Sequence, residues 1–124
     1  MDLLLDTHTV LWFAAGASSL RAEARGAIES AERTYVSAST IWELAIKHAK
    51  GRLVAPDDLA TRLNDLGFLE LAIGWEHARV AGGLPMLHRD PFDRILVAQA
   101  IVERLTIVTR DGTIGQYGVP VIAA

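Results

Sequence analysis

Residues 1–13 read MDLLLDTHTVLWF. The apolar run Met1–Leu5 is too short for a helix and is stopped by an acid, Asp6. An unbroken apolar run of this length fits a strand buried on both faces, as in a parallel sheet covered by helices on each side. Thr7–Ala15 then reads as a helix that ends near Gly16. A buried strand, an acid at its carboxyl end and a helix directly after it form a unit that the rest of the chain echoes.

Leu20–Arg33 predicts an amphipathic helix with Ala24, Ala27 and Ile28 on its apolar face, and Ser18 or Ser19 as its cap. Thr34–Ala38 is rich in β-branched and aromatic residues and reads as a strand, followed by a helix over Thr40–Lys50 that Gly51 stops. Pro56 and Asp57 open a further helix that Gly67 ends. Phe68–Ile73 reads as a strand, Trp75–Ala81 as a short helix ending at Gly82-Gly83, and Phe92–Leu105 as a long helix opened by Asp90-Pro91. Thr106–Thr109 is a buried strand, Asp111–Tyr117 a turn or short helix, and Val119–Ile122 a last strand. Strands alternating with helices predict an α/β fold with a mostly parallel sheet. The 124 residues, with no repeat or linker, predict a single domain, 1–124.

Composition narrows the function. Hydrophobic residues make up 51% and charged residues 22%, so the chain is globular. It is apolar enough for a small domain that a second chain is expected to cover part of its surface. There is no cysteine, which excludes disulfides, thiolate zinc sites and thiol catalysis and makes the cytoplasm the default location. No apolar run approaches the ~18 residues of a membrane-spanning helix. The N-terminus has no basic stretch before its apolar run, unlike a signal peptide. Twelve basic and fifteen acidic residues give a net charge of -3, which taken alone argues against a nucleic-acid binder.

The acids are distributed in a telling way. Asp6 follows the first strand, Glu43 lies in the first turn of the helix after the second, Asp93 opens the long helix, and Asp111 follows the TIVT strand by two residues. In a parallel α/β sheet these positions share one edge, where ligands bind. Four carboxylates brought together need a cation among them, and oxygen donors without cysteine suit Mg²⁺ or Mn²⁺ and phosphoryl chemistry. Each acid also has an ordinary structural explanation. Asp6 and Asp90 fit helix N-caps, Glu43 fits a capping box with Thr40, and Asp111-Gly112 fits a turn.

The segments LLLDTHTVLWF, SASTIWELAIKHAKGRL, HRDPFDRILVAQA and TIVTRDGTIGQYGVPVI, in this order and spacing, resemble PIN-domain proteins, in particular VapC-type toxin ribonucleases. The resemblance spans nearly the whole chain and is least distinctive over 55–84. It implies a three-layer α/β/α sandwich around a short parallel sheet and Mg²⁺- or Mn²⁺-dependent endoribonuclease activity, by in-line attack of activated water on an RNA phosphodiester. The family's metal-binding and catalytic acids would be Asp6, Glu43, Asp93 and Asp111, with the hydroxyls of Thr7 and Thr109 orienting them; Asp90 is extra to this set and reads as an N-cap first and a neighbour of the metal site second. It further implies a small VapB-like antitoxin that reaches basic residues into the acidic site, and a homodimer. The sequence departs from the family at Ile114, where an aromatic residue is common. Without the four site acids the remaining chain carries +1 rather than -3, so the overall charge averages an acidic pocket with a slightly basic remainder.

Other polar and aromatic residues have plain structural roles open to them. His8 and His88 adjoin the acids, but hydrogen bonding within a loop is the preferred reading of each, and His48 and His77 read as helix surface. Lys47 and Arg94 are candidate contacts for RNA or the antitoxin, and Arg89, Lys50 and Arg52 are further cations near them. Trp12 and Trp42 lie in apolar helical runs and read as core or dimer interface. The alternative function is a PIN-like module that holds RNA or protein without cutting. A phosphotransferase with an Asp nucleophile would want a second acid at position 8, where His8 stands.

Overall fold

The computed structural model describes residues 1–52 and 58–124. In chain order the elements are β1 (Asp2–Leu5), α1 (Thr7–Ala14), α2 (Ala22–Ser30), β2 (Arg33–Ser37), α3 (Ala38–Ala49), α4 (Leu59–Asp65), β3 (Leu69–Leu71), α5 (Trp75–Gly83), α6 (Pro91–Glu103), β4 (Thr106–Thr109), α7 (Gly112–Gly115) and β5 (Val121–Ala123). The strands form one sheet in the order β3-β2-β1-β4-β5, and every pairing is parallel.

The opening run of leucines is explained by its central place. Leu3, Leu4 and Leu5 are all 0% exposed. Successive strand side chains point to opposite faces. Leu3 and Leu5 therefore join one core with Val10 of α1, Ala24 and Ile28 of α2, and Leu44 of α3. Leu4 joins a second core with Leu96, Val97 and Ala100 of α6 and Ile107 of β4. Helices on both faces make the three-layer α/β/α sandwich. Each of these leucines contributes about 1.5–3 kcal/mol by leaving water.

Several boundaries differ from those read in the sequence. α3 begins at Ala38, because the Ser37 hydroxyl accepts the Ser39 amide at 3.0 Å and so acts as the N-cap. Thr40 is thus inside the helix with its Oγ1 lacking a hydrogen-bond partner, and the expected Thr40–Glu43 capping box does not form. Glu43 accordingly lies in the second turn. α2 is shorter than predicted and Arg21 occupies its cap position, without a side-chain cap bond from Ser18 or Ser19. α5 continues through Gly82 and Gly83. The start of α4 expected at Pro56-Asp57 lies outside the described residues. Among those described, no helix is long and apolar enough to cross a membrane.

The strand order fixes where a site can form. From β1 the chain proceeds outward through β2 and β3 on one side, and later through β4 and β5 on the other. The crevice beyond the carboxyl ends of β1 and β4 is the topological switch point of such a sheet.

Candidate active site

Asp6 enters this crevice from the end of β1. Its Oδ1 accepts the amide (3.0 Å) and hydroxyl (2.6 Å) of Thr9, which caps α1. Its Oδ2 accepts the Thr109 hydroxyl at 2.5 Å. Three donors on two oxygens pin the carboxylate yet leave lone-pair capacity on Oδ2. Capping and a role in the site are therefore compatible at Asp6.

Glu43 reaches the same place from α3 and is likewise buried. Its Oε1 accepts the Thr7 hydroxyl at 2.5 Å, and its Oε2 pairs with the Lys47 ammonium, one turn on, at 2.9 Å. Asp90 caps α6 by accepting the Phe92 amide at 2.8 Å, with Pro91 in the first turn. Asp93, in the first turn of α6, faces the crevice. Asp111 caps the short α7 by accepting the Thr113 amide at 2.9 Å. Thr109 joins the two halves, since its Oγ1 also accepts the Asp111 amide at 3.0 Å.

His88 is the residue whose place the sequence reading underrated. Its Nδ1 accepts the Asp90 amide at 3.2 Å, which leaves the ring hydrogen on Nε2. Nε2 lies 2.9 Å from Asp93 Oδ2 and 2.8 Å from Asp111 Oδ2, so one imidazole ties two acids together. The loop-fixing role was the one expected of it; the bridge between the acids was not. Thr9 was also missed. The spacing T-x-T after Asp6 carries its only signal, an N-cap acid followed three residues on by a hydroxyl.

A cavity of about 190 Å³ opens here, with Asp6, Glu43, Asp90, Asp93 and Asp111 in its lining. Trp12 stands at its rim, stacked on His8 at 5.6 Å and beneath the Arg110 guanidinium at 4.2 Å. Arg110 is held by the carbonyls of Ala124 and Ser19.

The crowding of carboxylates has an electrostatic consequence. Burial, helped by the charges of Asp90, Glu43 and Asp111 and only partly offset by His88, pushes the Asp93 carboxyl up to about 7. Asp111 moves the other way. Burial opposes its charge, but the bonds from His88 and Thr113 outweigh it and hold the carboxyl below its usual range. Burial also works against a charge on His88, yet the bond to Asp111 and the three neighbouring acids raise its pKa. One ligand atom each from His88, Asp93 and Asp111 lie within 4.8 Å of one another. A donor set of carboxylate oxygens with excess negative charge fits a hard divalent cation such as Mg²⁺ or Mn²⁺.

The structure thus brings Asp6, Glu43, Asp90, Asp93, Asp111 and Thr7 to one cavity, with Thr109 bonded beneath. Arg94, a candidate contact for RNA or the antitoxin, is engaged within the chain. Its guanidinium donates to the carbonyls of Ala81, Leu84, Pro85 and His88 and so secures the loop that carries His88. His77 is buried rather than on the surface. It accepts the Gly74 amide and bonds Glu103, joining α5 to α6. Trp42 is 62% exposed and so is not core. Ile114, where an aromatic residue is common in the resembling family, is fully buried in the second core.

A family model described as the PIN domain matches residues 3–119. The chain is 29% identical over 120 residues to Ribonuclease VapC22 of Mycobacterium tuberculosis, covering 88% of this chain and 86% of that protein. The crystal structure of DNA-bound VapBC from Salmonella typhimurium matches with a TM-score of 0.72 at 16% identity, over 98% of this chain and 97% of the other. A toxin–antitoxin complex from Klebsiella pneumoniae matches with a TM-score of 0.66 at 24% identity, over 98% and 96%. At these identities the two structures share a fold with this chain.

Proposed function

The chain belongs to the PIN-domain family, and on that ground we propose that it is a divalent-metal-dependent endoribonuclease of the VapC toxin type, acting in the cytoplasm as a single-domain protein. The observation that carries this reading is the meeting of Asp6, Glu43, Asp93 and Asp111, from four separate segments, around one small cavity. Asp6, Glu43, Asp93 and Asp111 would hold Mg²⁺ or Mn²⁺. The ion, when bound, supplies positive charge for the phosphodiester and lowers the pKa of water. Thr109, Thr9 and Thr7 orient the carboxylates of Asp6 and Glu43, as outer hydrogen bonds do around metal ligands. Lys47 neutralises part of Glu43. His88 keeps Asp93 and Asp111 together.

The partner in this reading is a small VapB-like antitoxin that presents basic residues to the acidic cavity. The similarity to solved toxin–antitoxin complexes supports the choice. The high apolar content supports a homodimer alongside it. The test is cleavage of single-stranded RNA by the purified chain. Mn²⁺ or Mg²⁺ supports cleavage, EDTA stops it, and Asp6→Asn abolishes it with an unchanged circular dichroism spectrum. Cleavage at full rate in EDTA refutes the proposal.

A further inference from the structure

A second cavity, of about 440 Å³, adjoins the carboxylate cavity and shares Glu43, Lys47 and Asp90 with it. It is a groove between the carboxyl-terminal half of α3 and the start of α6. Its character is opposite to that of the site. Lys47, Lys50, Arg52 and Arg89 all line it. Lys50, Arg52 and Arg89 are exposed and make no ion pair among the described residues. Lys47 and Lys50 alone would be ordinary cations at a helix carboxyl end, where the macrodipole favours them. Arg52 extends that cluster from the turn that ends α3, its amide bonded to the Lys47 carbonyl at 3.0 Å, whereas Arg89 comes from the segment before α6 and faces the same groove, which the α3 macrodipole does not explain.

We propose that this groove is the track for a single-stranded RNA flank, with the four cations holding phosphates next to the one being cut. The inference rests on the ribonuclease reading of the carboxylate cavity. A chain of net charge -3 with acids at its site cannot gather a polyanion by its overall field. Binding must then come from local cations on the neighbouring phosphates, and such contacts position a strand without reading its sequence. The groove begins at the site, where a strand passing through must continue. It also carries an aromatic surface. Phe92 lines it, and the exposed Trp42 meets the Phe92 ring edge-on at 5.2 Å. A base freed from a duplex can stack on such a pair, which favours a single strand over a double helix.

The test compares Lys50→Ser/Arg52→Ser/Arg89→Ser with the parent. Both carry Asp93→Asn so that RNA stays intact, and all three changes are at exposed positions. Fluorescence anisotropy with a labelled single-stranded 12-mer RNA is read from 50 to 200 mM salt. The expected result is at least tenfold weaker binding at low salt, with a log–log salt slope shallower by about 2, since each lost phosphate contact removes about 0.7. Trp42→Ala is expected to weaken binding about tenfold, and less for an abasic strand. Equal affinity and slope in the triple variant overturn the proposal, as does a triple variant that loses affinity for a labelled acidic peptide while its affinity for the RNA is unchanged. Without Asp93→Asn, the triple variant is expected to raise KM with kcat nearly unchanged. If the parent cuts RNA and the triple variant keeps its KM, the groove fails alone. If the parent binds RNA through the groove but never cuts, the ribonuclease reading fails and the groove stands.

Discussion

Asp93 is the residue on which the local chemistry turns. Its carboxyl is raised from 3.8 to about 7 in the folded chain. An acid with a raised folded pKa binds its proton more tightly when folded, so metal-free stability falls as pH climbs from about 4 to about 7 and then levels. His88 acts in the same direction. Its folded pKa is raised, so its contribution is present below its ordinary pKa and is lost as pH rises through the folded value. Thermal unfolding in EDTA is therefore expected to give a lower Tm at pH 8 than at pH 5, and Asp93→Asn to flatten the slope; a flat parent profile contradicts this. A Mn²⁺ ion held by Asp93, as proposed, would have to displace its proton, so calorimetric affinity is expected to rise about tenfold per pH unit below about 7. Thr109→Val, which removes the donor to Asp6 and the acceptor for the Asp111 amide, is expected to weaken Mn²⁺ binding about 10–100-fold. Affinity equal to the parent's would show that Thr109 does not orient these acids. Asp6, Asp93 and Asp111 were legible because each stands where a strand ends or a helix begins, while Glu43 was picked out from a first-turn position that it does not hold. His88 was not, because its role depends on three segments meeting, and no local pattern separates a histidine that fixes a loop from one that also bridges two carboxylates.

At the scale of elements, the strand–acid–helix units read from the sequence are those that build the sheet. Thr106–Thr109 has the boundaries expected, and β1 differs only in beginning at Asp2. The start of α3 was misread because Thr40-x-x-Glu43 mimics a capping box, while Ser37, at the end of β2, takes the cap. That two-residue difference matters: it places Glu43 in the second turn, where it meets Thr7 instead of the helix's own amides. Ser37→Ala is expected to cost about 1 kcal/mol by urea denaturation. Leu4→Ala, in the central strand against α6, is expected to cost about 2–5 kcal/mol. A change under 0.5 kcal/mol at Leu4 would contradict the central place given to β1.

For the whole molecule, the net charge of -3 conceals two adjoining regions of opposite sign, an acidic cavity and a basic groove, that meet at Glu43, Lys47 and Asp90. Neither region was visible in the composition. The acids could be placed in one cavity from the order of strands and helices, whereas the groove required α3 and α6 to be packed side by side. The central claim is that these acids hold a divalent ion and that RNA cleavage depends on it. The most direct measurement is to strip the chain with EDTA, titrate Mn²⁺ back while following both heat of binding and cleavage of a single-stranded RNA, and repeat with Asp93→Asn. The account predicts that cleavage returns in step with metal bound by the parent, and that the variant, folded by circular dichroism, loses both. Cleavage by the stripped parent, or full cleavage by the variant, would contradict it.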